Sequence, residues 1–535
     1  MVNRPYQNRA VLAVEKSFET RQSALIVMPT GTGKSRVFSD LVLRKQPQRS
    51  LVLAHRSELI WQAVKNVGQT GLPTSVEKAE LFADTDLFNR TSIVIASVQT
   101  LVSGKGDKKR MHRWKPDDFG LVVCDEGHHY TAPMFRSVLD YFRQNQKLKI
   151  FGCTASPKRA DDQALGMVFE ECVFTYTIGD AIREGWLVPV KAVGLEIEDM
   201  DFSGIKTSDG DLSTPELAAV MEREKPLYGV VQAGLEAAFY MEANALHGVP
   251  RERWYDFLMD NKNPPRSTLF FGANVQHAMM QSELLNRIVP GSADFVCGKT
   301  EPKHREQLIA RFRNGDLPFL TNCGVMTEGV DVPRAQVIVP KPTKSHALAI
   351  QMYGRGLRPP EVDGRSIVDQ YATEGERRGA IAHSRKPCCT IIDLYGVTGR
   401  HKMVLSADIL GGDYSEDEIQ LAKSNQVVAG KPVDMTAELE KARDQIRKKQ
   451  EEERQRAAAK RAKIFVPAKF AIAAVDPFDE HSSAAMIMPK IKLTGADLSA
   501  KQRAIIVNKL GKDPDKLPIG YAKKLIGDYF VKFRR

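Results

Sequence analysis

No stretch of this 535-residue chain is apolar for long enough to cross a bilayer, so no membrane partner is expected. Cysteine is scarce: there are seven, all before residue 390. Cys388 and Cys389 are adjacent and cannot supply the paired spacing of a zinc knuckle, whereas Cys124, Cys153, Cys297 and Cys323 fall in or beside apolar runs. They read as reduced core thiols. Apolar residues at heptad spacing are missing from residues 438–463, a run of Glu, Lys, Arg, Gln and Ala that reads as a solvated helix rather than a coiled coil. A monomer is the expectation.

What remains is a chain with 42% hydrophobic residues, ample for several cores, and a length that suggests about three or four structural units. The formal charge of +11 suits a polyanionic partner, because Lys and Arg contacts to phosphate release condensed counterions.

The most informative segment runs from Met28 to Ser35, M-P-T-G-T-G-K-S, between the apolar run Ala24–Met28 and the amphipathic stretch from Val37 to Leu43. A buried strand handing over to a helix in this way makes an anion cradle. Thr30, Gly31, Thr32 and Gly33 let the backbone wrap phosphate, Lys34 can reach the outer phosphates, and Ser35 can ligate magnesium. The strict signature wants glycine where Met28 stands. A second apolar strand, Gly120–Cys124, delivers Asp125 and Glu126 to its C-terminal end, the edge of a parallel sheet where ligands bind. One carboxylate can hold the metal while its neighbour orients the attacking water, as phosphoryl transfer requires. The pairing predicts an ATP-driven machine that uses Mg2+.

From Arg4 to Asp393 the chain resembles the superfamily 2 helicases and translocases of DExH type, and the matching blocks occur in order. Arg4-Pro5-Tyr6-Gln7 is similar to the adenine-reading segment, which implies that Gln7 selects the base. The blocks around His55, Arg56 and Glu58, and around Ser97, Gln99 and Thr100, are similar to those that grip nucleic acid in the first lobe. His128 together with Thr154-Ala155-Ser156 resembles the coupling elements, with Ser156 where threonine is commoner. Asn274 closes a segment like the opening strand of the second lobe. Thr321 to Pro333, with Gly329 and Asp331, resembles the block that touches both nucleotide and nucleic acid. Gln351-Met-Tyr-Gly354-Arg355-Gly-Leu-Arg358 matches the arginine-finger pattern at every fixed position, so the resemblance implies that Gln351, Arg355 and Arg358 complete the ATP site. Tyr353-Gly-Arg-Gly-Leu-Arg-Pro359 is closer to DNA-directed members, with RadD-type bacterial repair helicases nearest, although their downstream zinc-binding cysteine cluster is missing. The implied partner is DNA with a single-stranded region.

The implied architecture is α/β, with two tandem RecA-like lobes built on doubly wound parallel sheets. Residues 1–188 form the first lobe, 189–265 a linker with a helical insert, and 266–410 the second lobe. Residues 411–490 read as a charged helix and linker, and 491–535 as a small basic helical module open to either nucleic acid or a protein partner. Residues 361–386, rich in charge, read as a surface loop. Because the chain enters its adenine-reading segment within a few residues, no room is left for a signal peptide, and a cytoplasmic location in a bacterium or phage-infected cell is expected. Two other functions stay open: a duplex translocase of restriction type that never separates strands, and an ATP-gated clamp or adaptor with little turnover.

Overall fold

The computed structural model describes residues 3–83, 91–155, 165–197, 199–208, 210–241, 245–260, 264–327, 329–395, 403–412, 414–429, 432–462, 499–511, 513 and 525–526. Residues 1–458 form one compact unit and 459–535 another.

Within the larger unit, the first sheet contains β1 (Ser23–Val27), β2 (Ser50–Ala54), β3 (Thr74–Glu77), β4 (Ile93–Ser97), β5 (Leu121–Asp125), β6 (Lys149–Thr154) and β7 (Glu171–Thr175). They lie in the order β3-β4-β2-β5-β6-β1-β7, all parallel. The central strands are continuous apolar runs because helices cover both faces, and β1, β2 and β4 are buried at every position.

β8 (Val190–Glu196) comes next, followed by a short antiparallel pair, β9 (Thr207–Ser208) and β10 (Asp211–Leu212). The second sheet adds β11 (Thr268–Phe271), β12 (Ala293–Cys297), β13 (Phe319–Cys323) and β14 (Val337–Val339). A hairpin of β15 (Glu361–Val362) and β16 (Arg365–Ser366) precedes β17 (Cys389–Tyr395) and β18 (Val433–Asp434). The order in the second sheet is β12-β13-β11-β14-β17-β8-β18. The expected pair of RecA-like parallel-sheet lobes is present.

Three boundaries differ from the sequence reading. β8 was expected in a linker, yet it pairs along its whole length with β17, Val190 opposite Cys389 through Glu196 opposite Tyr395, and so belongs to the second lobe. Its apolar Val190, Ala192 and Val193 are buried there. β18 docks on the other side of β8, which draws part of the 411–490 segment into the same sheet. Residues 361–386 are not a bare surface loop. They hold the β15–β16 hairpin and a helix, Glu374–Ala382, started by a capping box between Thr373 and Glu376. Val368, Ile381, Arg377 and Lys386 from this segment are all buried.

The helix Met435–Ala462 buries Met435, Leu439 and Ala442 at its start and exposes most of the described side chains beyond, as a solvated helix should. In the smaller unit the described part is chiefly the helix Ala500–Leu510, capped by Ser499 and ended by Gly511 in the left-handed region. The predicted linker around 467–489, and the tail residues Tyr529 and Phe530 with their neighbouring cations, lie outside the described residues.

Candidate nucleotide site between the lobes

The sheet order places β6 between β1 and β5, with Thr154 level with Val27 and Cys153 level with Asp125. The cradle after β1 and the acidic pair after β5 therefore face each other across the C-terminal end of one strand. Gly33 adopts φ +81 as the N-cap of the helix Lys34–Arg44, and a Cβ there would stand 2.5 Å from Gln7 Nε2. Only glycine meets both demands. Glu126, φ +50 and buried, also sits in the left-handed region, a strained conformation that turns its carboxylate back toward the cradle.

Lys34 Nζ lies 3.0 Å from Glu126 Oε1. Burial works most strongly against the Lys34 charge, but Glu126, by charge and hydrogen bond, together with Asp125 and Cys153 holds the ammonium above the ordinary lysine range. Burial, reinforced by Glu126, raises the Asp125 carboxyl, with Lys34 pulling the other way. Asp125 accepts from the Glu126 backbone N–H at 3.0 Å. These residues line a cleft of about 410 Å³ with Thr30, Gly31, Gly33 and Ser35 from the first lobe. Ser35 and the two carboxylates offer oxygen donors suited to magnesium. Among the described residues no three His, Cys, Asp or Glu side chains form a metal cage on their own, so the donor set fits an ion that shares its shell with substrate phosphates and water.

The second lobe closes this cleft with Gly329, Asp331, Arg355 and Arg358. The two arginines do different things. Arg358 ion-pairs with Asp331 and lies over the cradle, so that a Cβ on Gly31 would meet its Cγ at 3.1 Å. Arg355 is buried, donating from Nη1 to Val330 O and from Nη2 to Thr327 O at 2.6 Å. It braces the loop after β13. Gln351 is buried one turn earlier in the helix His346–Gly354.

Gln7 donates from Nε2 to Thr32 O at 2.9 Å, and its Oε1 accepts from the Arg4 N–H at 2.9 Å. Thr32 itself is fully buried, its hydroxyl bound to Pro29 O. Within the adenine-reading segment it is Arg4, not Gln7, that lines the cleft.

Away from the cleft, His128 Nδ1 is 3.1 Å from Thr154 Oγ1 and 3.6 Å from Glu126 Oε2, which links the acidic strand to β6. The His128 and His129 rings have centroids 4.2 Å apart, and His129 is 4.1 Å from His55, because these residues form a 3-10 turn rather than extended strand. Ser97 caps the short helix Val98–Leu101, and Gln99 Nε2 donates to His55 O at 3.0 Å, joining the two first-lobe blocks. Thr100 Oγ1 accepts from Ala79 N–H, and Arg56 reaches Gly324 O in the second lobe at 3.3 Å. Asn274 caps the helix Val275–Ile288. Thr321 corrects an expectation: it is fully buried, its hydroxyl bound to Ala278 O at 2.7 Å, and cannot touch nucleic acid where it stands. Ser156 lies outside the described residues. Sequence reasoning missed Asp369, which lines the cleft and pairs with Arg4 at 2.7 Å; its charged segment gave no sign of that contact.

The family described as type III restriction enzyme, res subunit, matches residues 1–159, and helicase conserved C-terminal domain matches residues 251–359. Both matches and the relatives found with them are those of superfamily 2 helicases, which is consistent with a helicase of DExH type. Among its relatives, IRC3 of Saccharomyces cerevisiae, a protein assigned as an ATP-dependent helicase, is 29% identical over 434 residues, covering 78% of this chain and 54% of that protein. The Type I restriction enzyme EcoAI endonuclease subunit of Escherichia coli is 26% identical over 401 residues, covering 69% of this chain and 46% of its own length. The chain thus spans about half the length of these curated relatives. No helix among the described residues is long and apolar enough to cross a membrane.

Proposed function

We propose that this chain is an ATP-driven helicase or translocase that moves on nucleic acid, with DNA carrying a single-stranded region as its track. The observation that carries the reading is the placement of Arg358, a second-lobe cation, over Gly31 of the first-lobe cradle. A guanidinium in that place neutralises charge spreading over a transferring phosphoryl group only when the lobes are together, so hydrolysis and closure become one event.

Magnesium-bound ATP, as substrate, supplies the transferable phosphoryl group and a divalent charge on its oxygens. The Gly31–Ser35 backbone and Lys34 would grip the phosphates, and Ser35 and Asp125 would hold the metal. Glu126 exchanges its contact with Lys34 for the attacking water, orienting it and accepting its proton. His128 and Thr154 pass the change at Glu126 to β6. Ion pairs and backbone contacts across the lobes, such as Glu58 with Arg305 at 2.8 Å, then form and break with each cycle and advance the strand by a ratchet of phosphate contacts. His55, Arg56, Ser97, Gln99, Thr100 and Asn274 lie on the elements that would meet the strand.

The wider setting belongs to the same proposal: a cytoplasmic protein of a bacterium or phage-infected cell, acting as a monomer in repair, recombination or phage replication. The RadD-type resemblance favours repair, and the C-terminal module is offered as a nucleic-acid or protein contact. Restriction-type relatives favour a second reading, a duplex translocase that does not separate strands. ATPase stimulation compared across single-stranded DNA, duplex DNA, forks and RNA at fixed salt, with a strand-displacement assay alongside, tests both. No stimulation by any nucleic acid defeats the motor reading. Stimulation by duplex without displacement selects the translocase.

A further inference from the structure

The geometry points to Asp369, in the segment between the arginine pair and β17, as a positioning residue that orients Arg4 at the base end of the nucleotide cleft. The inference rests on the cleft being the nucleotide site.

Three observations carry it. The Asp369 Oδ1 accepts from Arg4 Nη2 at 2.7 Å and from Nε at 3.0 Å, fixing the edge of the guanidinium from the opposite lobe. The Arg4 guanidinium carbon stands 4.6 Å from the Trp186 ring centroid, while Arg4 and Asp369 both line the cleft and Trp186 does not. A planar cation pinned on its edge and backed by an indole is prepared to stack on a purine. Third, the segment bearing Asp369 is itself tied to the first lobe. Arg377 is buried, donates from Nε to Glu184 O at 2.8 Å, and lies 4.0 Å from the Trp186 centroid. A Cβ on Gly185, φ +75, would meet Arg377 Cβ at 2.8 Å, so the approach is as close as the backbone permits. Asp369 is therefore held, through its neighbours, by the wall it completes.

With Gln7 bound to Thr32 O, the base end depends on Arg4, and Arg4 depends on a carboxylate supplied by the other lobe. Grip on the base is then strongest when the lobes are together, which ties nucleotide exchange to their separation.

The test is steady-state kinetics of the whole 535-residue chain at saturating single-stranded DNA. Asp369→Ala should raise KM for ATP about tenfold with kcat changed less than about twofold, the pattern of lost binding rather than lost chemistry. Inhibition by inorganic tripolyphosphate, which has no base to stack, should be unchanged, and Asp369→Glu should restore most of the ATP affinity. An unchanged KM in Asp369→Ala overturns the assignment. So does a parallel loss of tripolyphosphate inhibition, or a fall in kcat accompanied by a lower melting temperature, either of which marks a merely structural role. Lys34→Ala is the control for the underlying reading: retained turnover there removes the nucleotide site itself, whereas lost turnover with a normal Asp369→Ala variant removes only the role of Asp369.

Discussion

Lys34 and Glu126 form a buried ion pair, with Nζ 3.0 Å from Oε1 and side chains 10% and 9% exposed. Each is the other's partner until substrate enters. Lys34→Ala should abolish ATP turnover while leaving nucleic-acid affinity within about threefold, because the phosphate contact is lost and the track is not. Deleting one member of a buried pair also strands the other, so the variant should lose about 3 kcal/mol of stability. Hydrolysis assays and urea unfolding check the two halves separately. Undiminished turnover would remove the cradle assignment.

Glu126→Gln keeps the shape at φ +50 but cannot take a proton from water. It should bind ATP and retain it, holding single strands more tightly than the wild-type protein in filter-binding or anisotropy experiments. Equal DNA affinity and equal ATP retention would break the link between hydrolysis and lobe closure.

The two arginines should separate in their effects. Arg355 is bonded to the carbonyls of Val330 and Thr327, so Arg355→Ala leaves both carbonyls without that donor and should lower stability by about 3 kcal/mol as well as slowing turnover. Arg358 is more exposed and lies over the cradle, so Arg358→Ala should lower kcat about a thousandfold with little change in unfolding midpoint. Equal stability losses in the two variants would contradict the division.

Much of this was legible in the sequence because the informative strands are buried on both faces. β1, β2, β4, β5 and β6 follow the apolar runs to within one or two residues, and the cradle and acidic pair are fixed to their ends. β3 and β7 are edge strands, Thr-Ser-Val-Glu and Glu-Cys-Val-Phe-Thr, whose apolar stretches are at most three residues long and too short to read as buried strands. Motif position likewise says nothing about side-chain direction. Thr321 occupies a family block yet points into the core, and Arg355, which lines the cleft, also braces a loop. The pairing of Asp369 with Arg4 joins residues 365 positions apart, a tertiary fact with no local signal.

Gly354 ends the helix that presents Arg355 and Arg358, and a Cβ there would stand 2.8 Å from Thr30 Cβ in the cradle. The lobes meet at this point with the Thr30 side chain against the bare helix backbone at Gly354. Gly354→Ala should therefore hold them slightly apart, lowering nucleic-acid-stimulated turnover by at least about tenfold while leaving each lobe folded. Far-ultraviolet circular dichroism and the stimulated ATPase rate together decide it. Full stimulated activity would mean that this contact is dispensable.

His277 gives the fold a pH dependence whose sign is fixed by geometry. It is fully buried, its Nδ1 accepts from the Ala273 N–H at 3.0 Å, and burial pushes its pKa down to about 4. An unfolded chain takes a proton there near the ordinary value of 6.5, while the folded chain refuses it until about 4. Between those values the unfolded state binds more protons, so stability is full above about pH 6.5 and falls as the pH drops toward 4. At pH 5 the loss from this one group should be about 2 kcal/mol. His277→Asn, whose Oδ1 can take the same N–H without titrating, should flatten that part of the profile. Urea unfolding of both proteins at pH 7.5 and pH 5 measures the difference, and an equal drop in the two would assign the acid sensitivity to other groups.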